Sequence, residues 1–95
     1  MPSFRVTLAI GDLAPGIAPA AILPAAKAAA QELVVMEAAD LQVVSGQARI
    51  IVRFAADDEE IAAQVGSHVA SRVQQFAEVT GCRITERVGA RWELV

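Results

Sequence analysis

The sequence predicts a single α+β domain in which two helices cover one face of a small antiparallel sheet. The chain has 95 residues, of which 55% are hydrophobic and 20% charged, a composition that suits one aliphatic core. Several segments alternate apolar and polar residues with the period of a β-strand, and two others are helical in composition or period. Residues 1–95 are therefore expected to form one domain.

The first predicted strand covers residues 4–10, where apolar and more polar residues alternate. Gly11-Asp12 is expected to end it. After a loop rich in Pro and Gly, an Ala-rich helix is expected to reach about Glu32. Its start lies near Pro19 or Pro24, because a helix tolerates proline in its first turn, and a start at Pro19 would strain the helix at Pro24.

Two strands and a turn are predicted next. Residues 33–44 form the second strand, with an irregularity at residues 37–40. Ser45-Gly46 forms a turn, and residues 47–54 form the third strand with Ile50, Val52 and Phe54 on one face.

The acidic run at residues 57–60 is predicted to start the second helix. Asp57 would be the N-cap and Glu60 its capping-box partner at N3, with the other carboxylates near the positive end of the helix dipole. A metal site is the alternative, but consecutive helical residues point in different directions and do not converge on one ion. No metal and no cofactor is expected.

The last third of the chain is predicted to contain that helix and a hairpin. The helix is expected to end at Thr80-Gly81, with Gly81 in the left-handed C′ position. Residues 82–88 and 91–95 alternate again. Gly89-Ala90 between them fits a two-residue type II′ turn.

The resulting element order is βαββαβ with one extra short C-terminal strand, which resembles the ferredoxin-like split βαβ arrangement. Its sheet would be antiparallel, with both helices packed on one face. A fold of this kind hosts many unrelated functions, so the function has to be argued from individual residues.

The overall charge and the cysteine count restrict the function classes. The net charge is −3 with a pI of about 5.0, which does not favour a nucleic-acid-binding protein. Cys82 is alone, so no disulfide framework is expected. The longest uncharged stretch, residues 13–26, is too short to span a membrane, and no basic segment precedes an apolar run at the N-terminus. We therefore expect a cytoplasmic protein without a membrane partner.

Arginines are predicted to share the sheet face that the helices leave open. If alternate residues such as Phe4 and Val52 point to the helices, their neighbours point away. The five arginines placed there are Arg5, Arg49, Arg53, Arg83 and Arg87. Such a face suits a small anion or an acidic partner, because guanidinium groups bind oxyanions through paired hydrogen bonds.

Solvation and pairing with acidic side chains are two other interpretations of this face. The arginines could simply be solvated, or paired with Glu37, Asp40, Glu86 or acids of a second subunit. A single-stranded nucleic acid would need aromatic side chains on the face to stack its bases. The positions assigned to the face include none, so no nucleic-acid partner is expected.

Three further residues receive structural interpretations. His68 lies at the border of the apolar arc of the second helix, without a carboxylate in its local pattern, and is expected to be a boundary residue. Cys82 alternates with Ile84 and is expected to face the core. Trp92 could cover the edge of the core or anchor a dimer contact.

The loop from Asp12 through Pro15-Gly16 to Ile17, followed by a helix, resembles the Asp-x-Pro-Gly-apolar loop of ACT-type regulatory domains. The resemblance covers the element order of nearly the whole chain but few identities. This sequence has one extra residue between Asp12 and Pro15, prolines in the helix and a terminal hairpin. The resemblance implies a dimer that binds an amino acid near Asp12 and Gly16.

Pro2 carries a second resemblance, to the tautomerase superfamily, whose members use an N-terminal proline amine as general base. The resemblance implies that loss of Met1 would free the amine of Pro2, and that arginines such as Arg5 would hold an acidic substrate. With Met1 in place, the nitrogen of Pro2 is an amide.

Taken together, these patterns predict a non-enzymatic homodimer that serves as an interaction or small-ligand module for an anion or an amino acid. The tautomerase-like enzyme is the alternative. The expected ligand-binding residues are the five arginines together with Asp12 and Gly16.

Overall fold

The computed structural model describes residues 1–95 as an antiparallel five-stranded sheet with two helices. The strands lie in the order β2-β3-β1-β4-β5, and the first four follow the order that the βαββαβ pattern predicts. The elements are β1 (Ser3–Leu13), a 3₁₀ turn (Pro19–Ala21), α1 (Ile22–Gln31), β2 (Met36–Val44), β3 (Gln47–Ala55), α2 (Glu59–Val73), β4 (Ala77–Val88) and β5 (Arg91–Leu94).

The core lies between the helices and one face of β1 and β3. Every second residue of these two central strands is buried, as the alternation predicts. The rings of Phe4 and Phe54, which are cross-strand partners, lie 6.1 Å apart. The fully buried side chains of the two strands are Phe4, Val6, Leu8, Ile50, Val52 and Phe54. No polar or charged residue is buried anywhere in the chain, so the core is held by apolar packing alone.

The first helix begins in two steps, which reconciles its two prolines. Pro19 opens a 3₁₀ turn, and α1 starts only at Ile22, so Pro24 lies in the first turn of α1. Neither proline interrupts a helix interior, where its missing N–H would cost a hydrogen bond. Three alanines, Ala26, Ala29 and Ala30, form most of the buried side of α1.

The β2–β3 hairpin confirms its predicted turn and irregularity but corrects the start of β2. Residues 33–35 follow α1 in a turn, where the N–H groups of Leu33 and Val34 both donate to the carbonyl oxygen of Ala30. The register with β3 shifts between Met36 and Ala38, which places an irregularity at Glu37. Ser45 and Gly46 both have positive φ, 53° and 77°, as a two-residue turn of type I′ requires.

The second helix starts one residue later and ends earlier than predicted. Its N-cap is Asp58, not Asp57, and the Asp58 carboxylate accepts a 2.9 Å hydrogen bond from the N–H of Ile61. Glu60 is therefore not at N3. The helix ends at Val73, and Gly81 lies inside β4 without a positive φ. Residues 77–81 are predicted to belong to the end of this helix, but they form the start of β4 and lie beside β1.

The same pairing extends β1 past its predicted end. Gly11 and Asp12 remain in the strand, which continues to Leu13, opposite Ala77, after irregularities in its register with β4. The C-terminal hairpin has its predicted turn, with positive φ at Gly89 alone. Neither helix combines the length and the apolar character needed to cross a bilayer.

Candidate functional site

The sheet places all five arginines on the face that the helices do not cover. Arg5 lies between two buried residues of β1, and Arg49 and Arg53 flank buried residues of β3. Arg83 is paired with Thr7 of β1, and Arg87 is paired with Trp92 of β5. Strand alternation therefore places these side chains together.

Thr7 and Ala9 lie among three of these arginines at the middle of the sheet. Thr7 is paired with Arg83, and Ala9 is paired with Arg49 on β3 and with Gly81 on β4. Arg5 precedes Thr7 by two residues on the same strand. Small side chains in the centre and long cationic ones around them leave an open space above the strands.

Two shallow grooves occupy this space, beside a third of about 270 Å³ whose lining includes Arg5, Asp40 and Arg53. One, of about 370 Å³, is lined by Arg5, Thr7, Gln42, Arg49, Ile51, Arg83, Thr85, Trp92 and Leu94. The second, of about 270 Å³, shares Thr7, Arg49 and Arg83 with it and extends over Ala9 and Gly81. Neither groove contains an acidic residue. We refer to the larger one as the arginine groove.

Only one of the five arginines forms an ion pair. Nε of Arg53 donates to Oε1 of Glu37 at 2.9 Å, and Glu37 also accepts a hydrogen bond from the Ser3 hydroxyl. Asp40 instead accepts hydrogen bonds from Leu41 and Gln42. Glu86 is opposite Phe4 and so lies on the helix side of the sheet. Of the predicted acidic partners, only Glu37 pairs with an arginine of this face.

The remaining arginines have no carboxylate within 4.0 Å. Arg87 donates from Nε to the carbonyl oxygen of Gly89 at 3.1 Å. Arg5, Arg49 and Arg83 make no hydrogen bond to any protein group. Their guanidinium donors are therefore available to water or to a ligand.

Trp92 lies on the same face, which corrects the expectation that the face has no aromatic side chain. The guanidinium carbon of Arg5 is 4.0 Å from the centroid of the indole ring, and that of Arg53 is 5.3 Å away. Both distances are within the range of a cation–π interaction. The sequence contains the information needed to place Trp92. A two-residue turn at 89–90 pairs Trp92 with Arg87, and paired residues lie on the same face of the sheet.

Asp12 and Gly16 lie apart from the arginines. Asp12 is exposed near the end of β1, and Gly16 is exposed in the loop that follows, with a φ of 81°. Neither residue lines a groove on the open face. An apolar notch of about 170 Å³ lies beside this loop, lined by residues that include Leu13, Pro19 and Leu41. The structure thus separates the predicted site residues into two regions.

His68 has a carboxylate partner that its own helix does not reveal. Its Nε2 lies 2.7 Å from Oε1 of Glu32, a residue that follows α1. Arg72, one turn along α2, donates to the same carboxylate at 2.9 and 3.1 Å. These hydrogen bonds, from His68 first and Arg72 second, lower the pKa of Glu32 below its ordinary value of 4.5. The cluster joins α1 to α2, and His68 is half-buried there, as a boundary residue should be.

Cys82 is on the helix side of the sheet but is not in the core. Its partner on β1 is the buried Leu8, so the predicted direction is right, yet the side chain is exposed. Partial burial raises the pKa of the thiol above its ordinary value. A thiol held in its neutral form is a poor nucleophile.

A separate apolar cavity of about 290 Å³ lies beside the start of β1 and the end of β3. It is lined by Met1, by residues that follow α1 and by the start of α2, and Asp57 is its only charged residue. No arginine borders it, so it lacks the groups that would hold an acidic substrate. No group of three or more His, Cys, Asp or Glu side chains is placed to hold a metal ion.

The fold and the site together define a small α+β domain with an open, arginine-rich sheet face. No protein-family model, no curated protein and no solved structure matches the chain.

Proposed function

We propose that the chain is a non-enzymatic, ferredoxin-like module, extended by one C-terminal strand, that binds a small anionic ligand in its arginine groove. The observation that carries the proposal is that Arg5, Arg49 and Arg83 line one groove without any acidic residue. Guanidinium groups close together repel one another unless an anion or solvent ions compensate their charge. Arg5 and Arg53 are even direct cross-strand partners, an arrangement that is unfavourable for like charges.

The groove differs from an ordinary solvated surface in the way its arginines are held. Trp92 of β5 contacts both Arg5 and Arg53, and Glu37 of β2, at the opposite edge, pairs with Arg53. The floor beneath Arg49 and Arg83 consists of small side chains. Stacking on an indole ring occupies the face of a guanidinium group and leaves its N–H donors, which lie in the ring plane, free to bind an oxyanion. Arg5 therefore combines a fixed position with unused donors.

A calorimetric titration with sodium sulfate, sodium phosphate and sodium citrate at constant ionic strength tests this function. The double variant Arg49→Gln/Arg83→Gln should lose at least about tenfold in affinity, since it removes two charge-assisted contacts. Arg91→Gln is the matched control, because Arg91 is on the same sheet but pairs with Glu93 outside the groove. Equal affinities for the double variant and the wild type, or no binding of any of these anions, would refute the function.

We also propose that the module is a homodimer joined along β2. β2 is an edge strand of nine residues with one backbone edge unpaired. Leu41, Val43 and Val44 on it are 43%, 69% and 39% exposed. Long apolar edge strands tend to pair with another strand, and a second copy of the same strand satisfies a two-fold axis. β5, at the other edge, has only four residues.

Native mass spectrometry tests the dimer. Val43→Lys should give a monomer, because it replaces an exposed apolar side chain of the edge strand β2 with a charged one. Val88→Lys makes the same change at an exposed position of the opposite hairpin and should leave the dimer intact. A wild-type monomer at micromolar concentration, or a dimer that survives Val43→Lys, would refute pairing along β2.

The tautomerase-like alternative gains no supporting contact. It requires a free Pro2 amine in a pocket bordered by arginines. The cavity beside Met1 is lined by no arginine.

A further inference from the structure

We propose that the arginine groove is selective for a phosphate monoester carried by a small molecule, over monocarboxylates and over amino acids. The inference rests on the proposed function and specifies its ligand. It is carried by the charge balance of the groove, by its hydroxyl and amide groups, and by its shape.

The charge of the groove calls for a ligand with more than one negative charge. Three guanidinium groups line it, and no carboxylate does. A monocarboxylate ligand would compensate only one of these charges, whereas a phosphate monoester carries about −1.5 to −2 at neutral pH. Its three terminal oxygens can also accept paired hydrogen bonds from more than one arginine at once.

The same charge balance disfavours an amino acid. The ammonium group of an amino acid needs an acceptor, and in a groove of this kind that acceptor would be an acidic side chain. The nearest acids on this face are Glu37, which is paired with Arg53, and Asp40, whose carboxylate accepts hydrogen bonds on its own strand. Neither lines the arginine groove, although Asp40 lines the adjacent groove together with Arg5. An ammonium group would therefore lie among three guanidinium groups.

The polar neighbours of the arginines suit phosphate oxygens and a hydroxylated carrier. Thr7 and Thr85 contribute hydroxyl groups, and Gln42 contributes a side-chain amide from the β2 side. Trp92 and Leu94 of β5 form an apolar wall opposite Gln42. This wall offers a surface to the non-phosphate part of the ligand, and Trp92 acts as a positioning residue for Arg5.

The shape favours a small molecule over a nucleic-acid strand. Arg5, Arg49 and Arg83 all line one groove of about 370 Å³, a volume within the range of small-molecule sites. The one aromatic ring on the face already stacks on Arg5 and Arg53. The chain as a whole carries a net charge of −3, which opposes the approach of a long polyanion.

Trp92 gives a direct readout, because it is the only Trp in a chain without Tyr. A phosphate bound by the Arg5 guanidinium, which lies 4.0 Å from the centroid of the indole ring, should change the emission of Trp92. We would titrate the wild-type protein with glycerol phosphate, sulfate, acetate, glycine and a short oligothymidylate at constant ionic strength. Glycerol phosphate should bind at least about tenfold more tightly than acetate or glycine.

The pH dependence of the affinity shows whether the ligand or the protein loses charge as the pH falls. Below about pH 6 a phosphate monoester loses its second charge, so its affinity should fall about tenfold between roughly pH 7.5 and pH 5. Sulfate keeps two charges over this range and should bind equally well throughout. The arginines remain charged, and the other titratable groups of this face, Glu37 and Asp40, affect both ligands alike.

Trp92→Phe and Trp92→Ala test the positioning role by calorimetry. Phe retains an aromatic face for Arg5, so Trp92→Phe should keep most of the glycerol phosphate affinity, whereas Trp92→Ala should lose it several-fold.

The outcomes separate this inference from the function on which it rests. If acetate or glycine binds as tightly as glycerol phosphate, or if both dianions weaken equally at pH 5, the groove binds anions but the phosphate assignment is wrong. Tighter binding of oligothymidylate than of glycerol phosphate overturns the small-molecule assignment in favour of a nucleic acid. If no probe binds, the proposed function itself fails.

Discussion

The two faces of the central strands β1 and β3 have opposite roles. On the helix side, their alternate residues are apolar and fully buried, whereas on the open side three of the residues between them are arginines. The buried face supplies the stability of the sheet, because burial of apolar area is the main favourable contribution to folding. The open face contributes little to that stability, so its composition can serve another purpose.

The arginines of the molecule show the same contrast. Arg72, on the helix layer, shares the carboxylate of Glu32 with His68. Arg49 and Arg83, on the open face, have no acidic partner although the chain has 11 acidic residues for 8 basic ones. A charge pattern optimised only for stability would place acids between these arginines. Their absence is what an anion-binding surface requires.

Paired substitutions in β1 should show the largest difference between the faces. Leu8→Ala removes a fully buried side chain and should lower the free energy of unfolding by about 3 kcal/mol. Thr7→Ala changes the adjacent residue on the open face. It should lower the free energy of unfolding by about 1 kcal/mol or less, mainly because Ala has a lower strand propensity than Thr. Urea denaturation followed by circular dichroism measures both. Similar losses in the two variants would mean that the open face is covered, for example by a second subunit.

Most of this two-faced arrangement could be predicted from the sequence, because strand alternation determines which residues share a face. The common face of the five arginines, the buried residues on either side of Arg5 and Arg53 in sequence, and both hairpin turns follow from local patterns. Errors occurred where tertiary pairing overrides a local signal. Gly11-Asp12 and Thr80-Gly81 are ordinary chain-breaking pairs, yet β1 and β4 continue to pair beyond both of them, with irregularities in the register at Thr80 and at Gly11-Asp12.

The site itself could be predicted only in part. The groove depends on the absence of acids near Arg49 and Arg83, and a sequence does not show which of its acids reach a given face. The contact of Glu32 with His68 joins residues 36 positions apart and has no local signature. Trp92 is different, because the hairpin register alone assigns it to the face of Arg87.

Removal of two unpaired arginines should produce a smaller effect of the opposite sign. In a buffer of low ionic strength without multivalent anions, Arg49→Gln/Arg83→Gln should raise the free energy of unfolding by about 0.5 kcal/mol, because like charges repel. The gain should disappear at about 1 M NaCl, where screening is strong.

The control for this prediction is Arg72→Gln, which removes a paired arginine from the helix layer. It should lower the stability slightly or leave it unchanged, and it should not raise it. A loss of stability in the double variant at low salt would show that Arg49 and Arg83 have partners in solution, and the contrast between the two regions would then fail.

The smallest expected effect concerns Glu32 and is confined to acid pH. Hydrogen bonds from His68 and Arg72 lower the pKa of Glu32 in the folded protein from its ordinary value of 4.5. The unfolded chain therefore takes up a proton at higher pH than the folded one, so the contribution of Glu32 is fully present above about pH 4.5 and is lost as the pH falls through the lowered value. Glu32→Gln should be slightly less stable than the wild type at neutral pH, and the two should converge below pH 4.5.

Glu59→Gln, at an exposed first-turn position of α2, is the matched control. Urea denaturation between about pH 3 and pH 7 measures the difference. A constant difference across this range would mean that the carboxylate of Glu32 does not link the two helices through His68 and Arg72 as the structure indicates.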